Sequence, residues 1–147
     1  MDKILLTTDG SENSLKAAEY VAGVLKKLPN TSIVVLTVIP RDRDLGMFEM
    51  HISDSELEFL RAKSEERSKF IIEQTIKPLI KYSNNIETMI KVGVPGETIA
   101  EVAQEIAATH VVMGTRGNTG LKGLFLGSVA QRVMQLVNIP LTLIKDN

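Results

Sequence analysis

Short β-branched apolar runs alternate with helical patterns along this chain, and that alternation limits the fold more than any other feature. The runs are Lys3–Thr8, Ser32–Ile39, Ile86–Val92, His110–Gly114 and Leu141–Lys145. Ile33-Val34-Val35-Leu36 is apolar without interruption, which suits a strand covered on both faces, as in a parallel sheet. A strand–helix–strand rhythm repeated to the end of the chain predicts right-handed crossovers and a doubly wound α/β sheet with helices on both faces. At 147 residues the chain is long enough for a real core and is expected to form one domain over 1–147.

The helical segments carry recognisable signals. Ala17, Ala18, Val21, Ala22, Leu25 and Leu28 recur at helical spacing, with Ser11 as a candidate cap and Pro29-Asn30 as a stop. Ile99, Val102, Ala103 and Ile106 mark a third helix, and Val129, Val133 and Val137 a last one. The longest pattern runs from about Ser55 to Tyr82, with Leu57, Leu60, Ile72, Ile76, Leu79 and Ile80 as core candidates. Pro78 is expected to kink or shorten it, because its ring removes a donor and crowds the preceding turn. The segment Pro40–Asp54, with Met47, Phe48 and Met50, reads as a long connection: either a functional lid or contact, or a surface loop.

Composition excludes several function classes. Net charge is −1 with no sustained basic run, which argues against a nucleic-acid footprint. The absence of cysteine removes disulfides, thiolate catalysis and Cys-based zinc. No stretch has the length and apolarity of a signal peptide or a membrane span, so the expected location is the cytoplasm. His51 and His110 have no metal-ligand company, the acidic residues Glu56, Glu58, Glu65 and Glu66 read as a solvated helix face, and no Ser-His-Asp or paired-carboxylate arrangement suggests itself.

Ligands of open α/β sheets bind beyond the carboxyl ends of the strands, where the strand order switches. Three segments are expected to meet there: Thr7-Thr8-Asp9-Gly10-Ser11, Val38-Ile39-Pro40, and the glycine loop from Gly114 to Ser128. Glycines before a helix let backbone N–H groups approach an anion, and the helix end adds free donors and a positive dipole end. Asp9 is suited either to a ribose hydroxyl or adenine amine, or simply to a helix start. Ser128 occupies the expected cap position, where its hydroxyl serves a phosphate or its own helix. Arg116 and Lys122 are either phosphate partners or ordinary loop charges. The loop is neither a Walker A motif nor G-x-G-x-x-G.

With these residues in view, the chain resembles the universal stress protein family over nearly its whole length. Ile4-Leu5-Leu6-Thr7-Thr8-Asp9-Gly10-Ser11 looks like the family's first strand and turn, and Val92-Gly93-Val94-Pro95 like its third-strand ending. Met113-Gly114-Thr115-Arg116-Gly117 through Leu126-Gly127-Ser128-Val129-Ala130 matches its G-2x-G-9x-G-(S/T) signature in register. The resemblance implies strand order 3-2-1-4-5, a homodimer joined through the edge strand Leu141–Lys145, and ATP binding, with Mg2+ held mainly by the phosphates. By position, Asp9, Val38 and Thr8 would lie at the adenine, and Met113 and Gly114 by the ribose. Gly117, Gly127, Ser128 and Val129 would hold the phosphates. The chain departs from the family pattern at Thr7, where Pro is common, and at Thr109-His110, where Asp is common.

The leading expectation is therefore an ATP-binding regulatory protein whose nucleotide is coupled to dimer or partner contacts in a stress response. The alternatives are slow ATP hydrolysis or phosphoryl transfer, for which neither a base nor a Walker lysine is in evidence, and a nucleotide-free dimerisation or interaction module.

Overall fold

Leu5 and Leu6 are adjacent in sequence and both fully buried, which requires cover on both faces of their strand. The computed structural model, which describes residues 2–41, 53–116 and 126–145, supplies it. Strands β1 (Lys3–Thr7), β2 (Ser32–Pro40), β3 (Ile86–Gly93), β4 (His110–Gly114) and β5 (Leu141–Ile144) alternate with four helices. These are α1 (Glu12–Lys27), α2 (Asp54–Ile76), α3 (Pro95–Glu105) and α4 (Ser128–Leu136). The strands form one sheet in the order β3-β2-β1-β4-β5, every neighbouring pair parallel, as the doubly wound reading expects.

Register carries the alternation across the sheet. Leu5 pairs with Val34 on one side and Val111 on the other, while Leu6 pairs with Val35 and Val112. Leu6, Val35 and Val112 point into one core with Ala17, Ala18, Val21 and Leu25 of α1 and Leu79 just beyond α2. Leu5, Val34 and Val111 point into the other with Ile99, Val102 and Ala103 of α3 and Ala130 and Val133 of α4. Helices α1 and α2 thus cover one face and α3 and α4 the opposite one. At roughly 1.5–3 kcal/mol for each fully buried Val, Leu or Ile side chain, this two-sided burial is the dominant stabilising term.

Helix α2 is shorter than its sequence pattern. It ends at Ile76 with Lys77 as its last cap residue, and turns occupy 77–82. Pro78 explains the stop through its missing N–H, which leaves the carbonyl four residues back without its helical donor, while Lys77 before it still has helical φ −48° and ψ −49°. Leaving the helical register turns Ile80 outward, 57% exposed, whereas Leu79 drops fully into the core. Ile80 is therefore not the core residue that its spacing suggests, and Leu57 and Leu60 are only partly covered. The terminal strands are one residue shorter than expected at Thr8 and Lys145, β2 and β3 each run one residue longer, and the segment 42–52 lies outside the described residues.

Thr109 and His110, where the family pattern has Asp, lock β1 to β4. Lys3 N donates to Thr109 Oγ1 at 2.9 Å, Thr109 N donates to Lys3 O at 2.8 Å, and His110 Nδ1 lies 3.0 Å from Thr109 Oγ1. The histidine is part of this joint at the amino end of the sheet, remote from the carboxyl ends where ligands of such folds bind.

Candidate functional site

At the end of β1 the chain must turn into α1 within four residues, and Thr8-Asp9-Gly10-Ser11 does so through its own side chains. Asp9 Oδ1 accepts from Ser11 N at 2.9 Å, a side-chain turn typical of Asp. Gly10 has φ +79°, the left-handed region, and a Cβ there would meet Ile71 Cγ1 of α2 at 2.9 Å. Ser11 caps α1, its Oγ accepting from Ser14 N at 3.3 Å.

Buried hydroxyls tie this turn to its neighbours. Thr8 Oγ1 donates to Ser14 Oγ at 3.1 Å and lies 2.9 Å from Thr75 Oγ1, which in turn donates to Ile71 O at 2.8 Å. Thr37 Oγ1 donates to Thr8 O at 2.6 Å. The ends of β1 and β2, the first turn of α1 and the last turns of α2 thus form one polar joint, each partner satisfied as buried hydroxyls require.

On the other side of β1, the β4 end runs tight against α1. A Cβ on Gly114 would fall 2.7 Å from Asn13 Cβ and 3.1 Å from Ser14 N, so contact with α1 alone demands glycine there. Thr115 N donates to Ile144 O at 2.9 Å, and Gly127 N donates to Thr115 O at 2.6 Å, which fixes the start of α4 beside the end of β4. Asn13 Nδ2 donates to Arg116 O at 3.4 Å.

Gly127, not Ser128, is the N-cap of α4: its φ of −70° and ψ of 163° are extended, and Ser128 is the first helical residue, exposed. The cap thus falls one residue earlier than expected. The correction matters, because among the described residues no side chain caps α4, whereas Ser11 and Ser53 cap α1 and α2. An uncapped helix start leaves its first-turn N–H donors and its positive dipole end available. Helix α3 also starts without a side-chain cap, with Pro95 at its first position.

These pieces enclose a cavity of about 520 Å³ beyond the carboxyl ends of β1, β2 and β4. Thr8, Asp9, Val38, Met113, Gly114, Arg116, Gly127, Ser128 and Val129, all singled out from sequence, line it. Gly117 lies outside the described residues, as do Lys122 and His51. Among the described residues no group of three His, Asp or Glu side chains converges to hold a metal ion.

Sequence reasoning missed one wall. Ser64, Arg67, Ser68 and Ile71 of α2 line the cavity opposite α3, whose Pro95 and Ile99 also contribute. Ser64, Ser68, Ile71 and Thr75 fall at helical spacing on one stripe of α2, a signal that a count of apolar residues passes over. The same helix turns Phe59 and Phe70 outward, each 60% exposed, so its apolar residues mark two different faces. Helices α3 and α4 are braced to each other: Arg132 Nε donates to Glu97 Oε1 at 2.6 Å, and Gly96 packs beneath the Arg132 stem. That guanidinium holds the Glu97 carboxyl below its ordinary value of 4.5.

Known proteins of the same build follow the same outline. The universal stress protein family model matches residues 1–145. Universal stress protein MJ0531 of Methanocaldococcus jannaschii is 30% identical over 97% of this chain and 81% of its own length. MJ0577 of the same organism is 32% identical over 97% of this chain and 94% of its own. The solved structure of MJ0577 superposes with a TM-score of 0.84 over 99% of this chain and 96% of that one, at 31% identity. A universal stress protein family protein from Arabidopsis thaliana, solved with AMP bound, shares the fold with a TM-score of 0.71 at 16% identity, over 100% of this chain and 93% of that one. The match along the chain and in strand order leaves one conclusion: the chain belongs to the universal stress protein family.

Proposed function

We propose that the cavity holds an adenine nucleotide, ATP or its shorter relatives, and that the protein acts by carrying it. The observation that carries this reading is the meeting of three strand ends with an uncapped helix start in one cavity of about 520 Å³. Pockets for small ligands are typically about 300–1,000 Å³. The AMP complex of the Arabidopsis protein supports the same ligand class.

In this reading the nucleotide lies along the strand ends. Val38, Ile39 and Pro40 give the base an apolar wall beside Thr8 and the Asp9 carboxylate. Met113 and Gly114 lie by the ribose. The phosphates sit against the N–H groups of Gly127, Ser128 and Val129, beside Arg116, and the family signature assigns Gly117 to the same group. A Mg2+ ion accompanying ATP takes its ligands mainly from the phosphate oxygens. Cradling of this kind orients phosphates, whereas phosphoryl transfer needs a positioned nucleophile and base in addition. The reading is one of holding rather than cleaving.

Binding is coupled to assembly through α4 and β5. Leu141, Thr142, Leu143 and Ile144 form an edge strand that is only half-buried along its whole length, an apolar edge suited to a second copy of the chain. Thr115 N joins β5 to the residue that anchors the start of α4, so ordering of the phosphate end reaches the edge strand through one hydrogen bond.

Ser128→Asp tests the site. Aspartate at the first helical position favours α4 through the helix dipole, so the fold is retained. The added charge repels phosphates, and titration calorimetry is expected to show ATP bound at least about tenfold more weakly while adenosine is little changed. Equal ATP affinity in wild type and variant contradicts the proposal.

A further inference from the structure

Thr115 has both backbone groups engaged and a side chain with nothing to do. Its N–H bonds Ile144 O and its carbonyl accepts from Gly127 N. The residue is 6% exposed, and its Oγ1 is buried with no hydrogen-bond partner among the described residues. Buried hydroxyls are nearly always bonded, so each exception needs an explanation. Asn13 Oδ1 and Glu97 Oε2 are also unpartnered, but neither residue lines the cavity, and Thr115 does.

The neighbours of Thr115 locate it in the cavity. Met113 packs with Ala130 in the core beneath α4, and Gly114 faces Asn13 on α1. Thr115, the first residue beyond β4, lines the cavity next to the Gly127 cap of α4, to which its own carbonyl is bonded. An unused hydroxyl and the free donors of an uncapped helix therefore meet at one end of the cavity. The apolar residues Val38, Ile39 and Pro40 belong to a different strand end.

We propose that Thr115 Oγ1 is a ligand-contacting group that donates its hydrogen to a phosphoryl oxygen of the bound nucleotide. It rests on the nucleotide reading above and adds to it a side-chain donor that the glycine signature does not contain. The helix end selects an anion for this position, and a hydroxyl donating to a charged oxygen makes one of the stronger hydrogen bonds. The base, uncharged, has no comparable reason to occupy it.

Thr115→Val keeps the shape and removes the hydroxyl, and Thr115→Ser restores it. Titration calorimetry with AMP and with adenosine, beside thermal melts of the free protein, tests the assignment. AMP affinity is expected to fall about tenfold in Thr115→Val and to stay within about threefold of wild type in Thr115→Ser. Adenosine affinity stays level in both. The free Thr115→Val protein melts at or above the wild-type temperature, because an unpartnered hydroxyl contributes nothing to the empty fold. Unchanged AMP binding by Thr115→Val overturns the assignment, and so does an equal loss of AMP and adenosine, or a markedly lower melting temperature. If wild-type protein binds neither AMP nor ATP, the nucleotide reading itself falls. If wild type and Thr115→Val bind AMP alike, only the hydroxyl assignment falls.

Discussion

Gly114 illustrates how one residue answers to two demands. The signature spacing marks it as a ligand-side glycine, but its hydrogen atom faces Asn13 of α1, with no room for a methyl group. Gly114→Ala is expected to lower stability by about 1–3 kcal/mol, as overpacking does, measured by denaturant unfolding. A wild-type midpoint in that variant contradicts the packing account. Asp9 has a similar double character: its carboxylate lines the cavity and also accepts from Ser11 N. Asp9→Asn keeps the turn, whereas Asp9→Ala loses it at about 1 kcal/mol, so only the alanine variant is expected to lower the melting temperature clearly. These residues were legible in the sequence because their types are rare in strands and frequent in turns. The hydroxyl joint of Thr8, Ser14, Thr37 and Thr75 was not, since threonine and serine carry no period of their own and their partners lie up to 67 positions apart.

Among the elements, the central strands were the easiest to read, because burial on both faces leaves runs such as Ile4-Leu5-Leu6, Ile33-Val34-Val35-Leu36 and Val111-Val112 without a polar residue. Helix α2 was the hardest. Its inner stripe mixes Ser64, Ser68 and Ile72, its outer stripe carries Phe59 and Phe70, and Pro78 cuts short a pattern that continues in apolar spacing to Ile80. Helices α3 and α4 depend on each other through Arg132 and Glu97. Because the guanidinium depresses the Glu97 carboxyl, the pair contributes stability that is present above 4.5 and is lost as pH falls through the lower folded value. Glu97→Gln is therefore expected to narrow the fall in melting temperature below about pH 4.5, in melts recorded from about pH 7 to about pH 3. An identical acid profile in the variant contradicts a working ion pair.

For the whole molecule, the strand order that joins β1 to both β2 and β4 is what opens the cavity, and the same order leaves β3 and β5 as edges. Topology and the position of the cavity followed from the alternation of elements and from the family signature. The wall contributed by α2 did not, because the sequence does not state how far a helix overhangs the sheet. Leu143→Lys puts a charge on the proposed mating edge, so in sedimentation analysis the wild type is expected to run as a dimer and the variant as a monomer. An unchanged dimer places the contact elsewhere. The central claim is that an adenine nucleotide occupies the strand-end cavity, and amide-resolved NMR titration with AMP tests it most directly. The predicted result is a saturable set of shifts at Asp9, Val38, Gly114, Thr115 and Val129. An absence of shifts, or shifts gathered on the outer α2 face around Phe59 and Phe70, would contradict it.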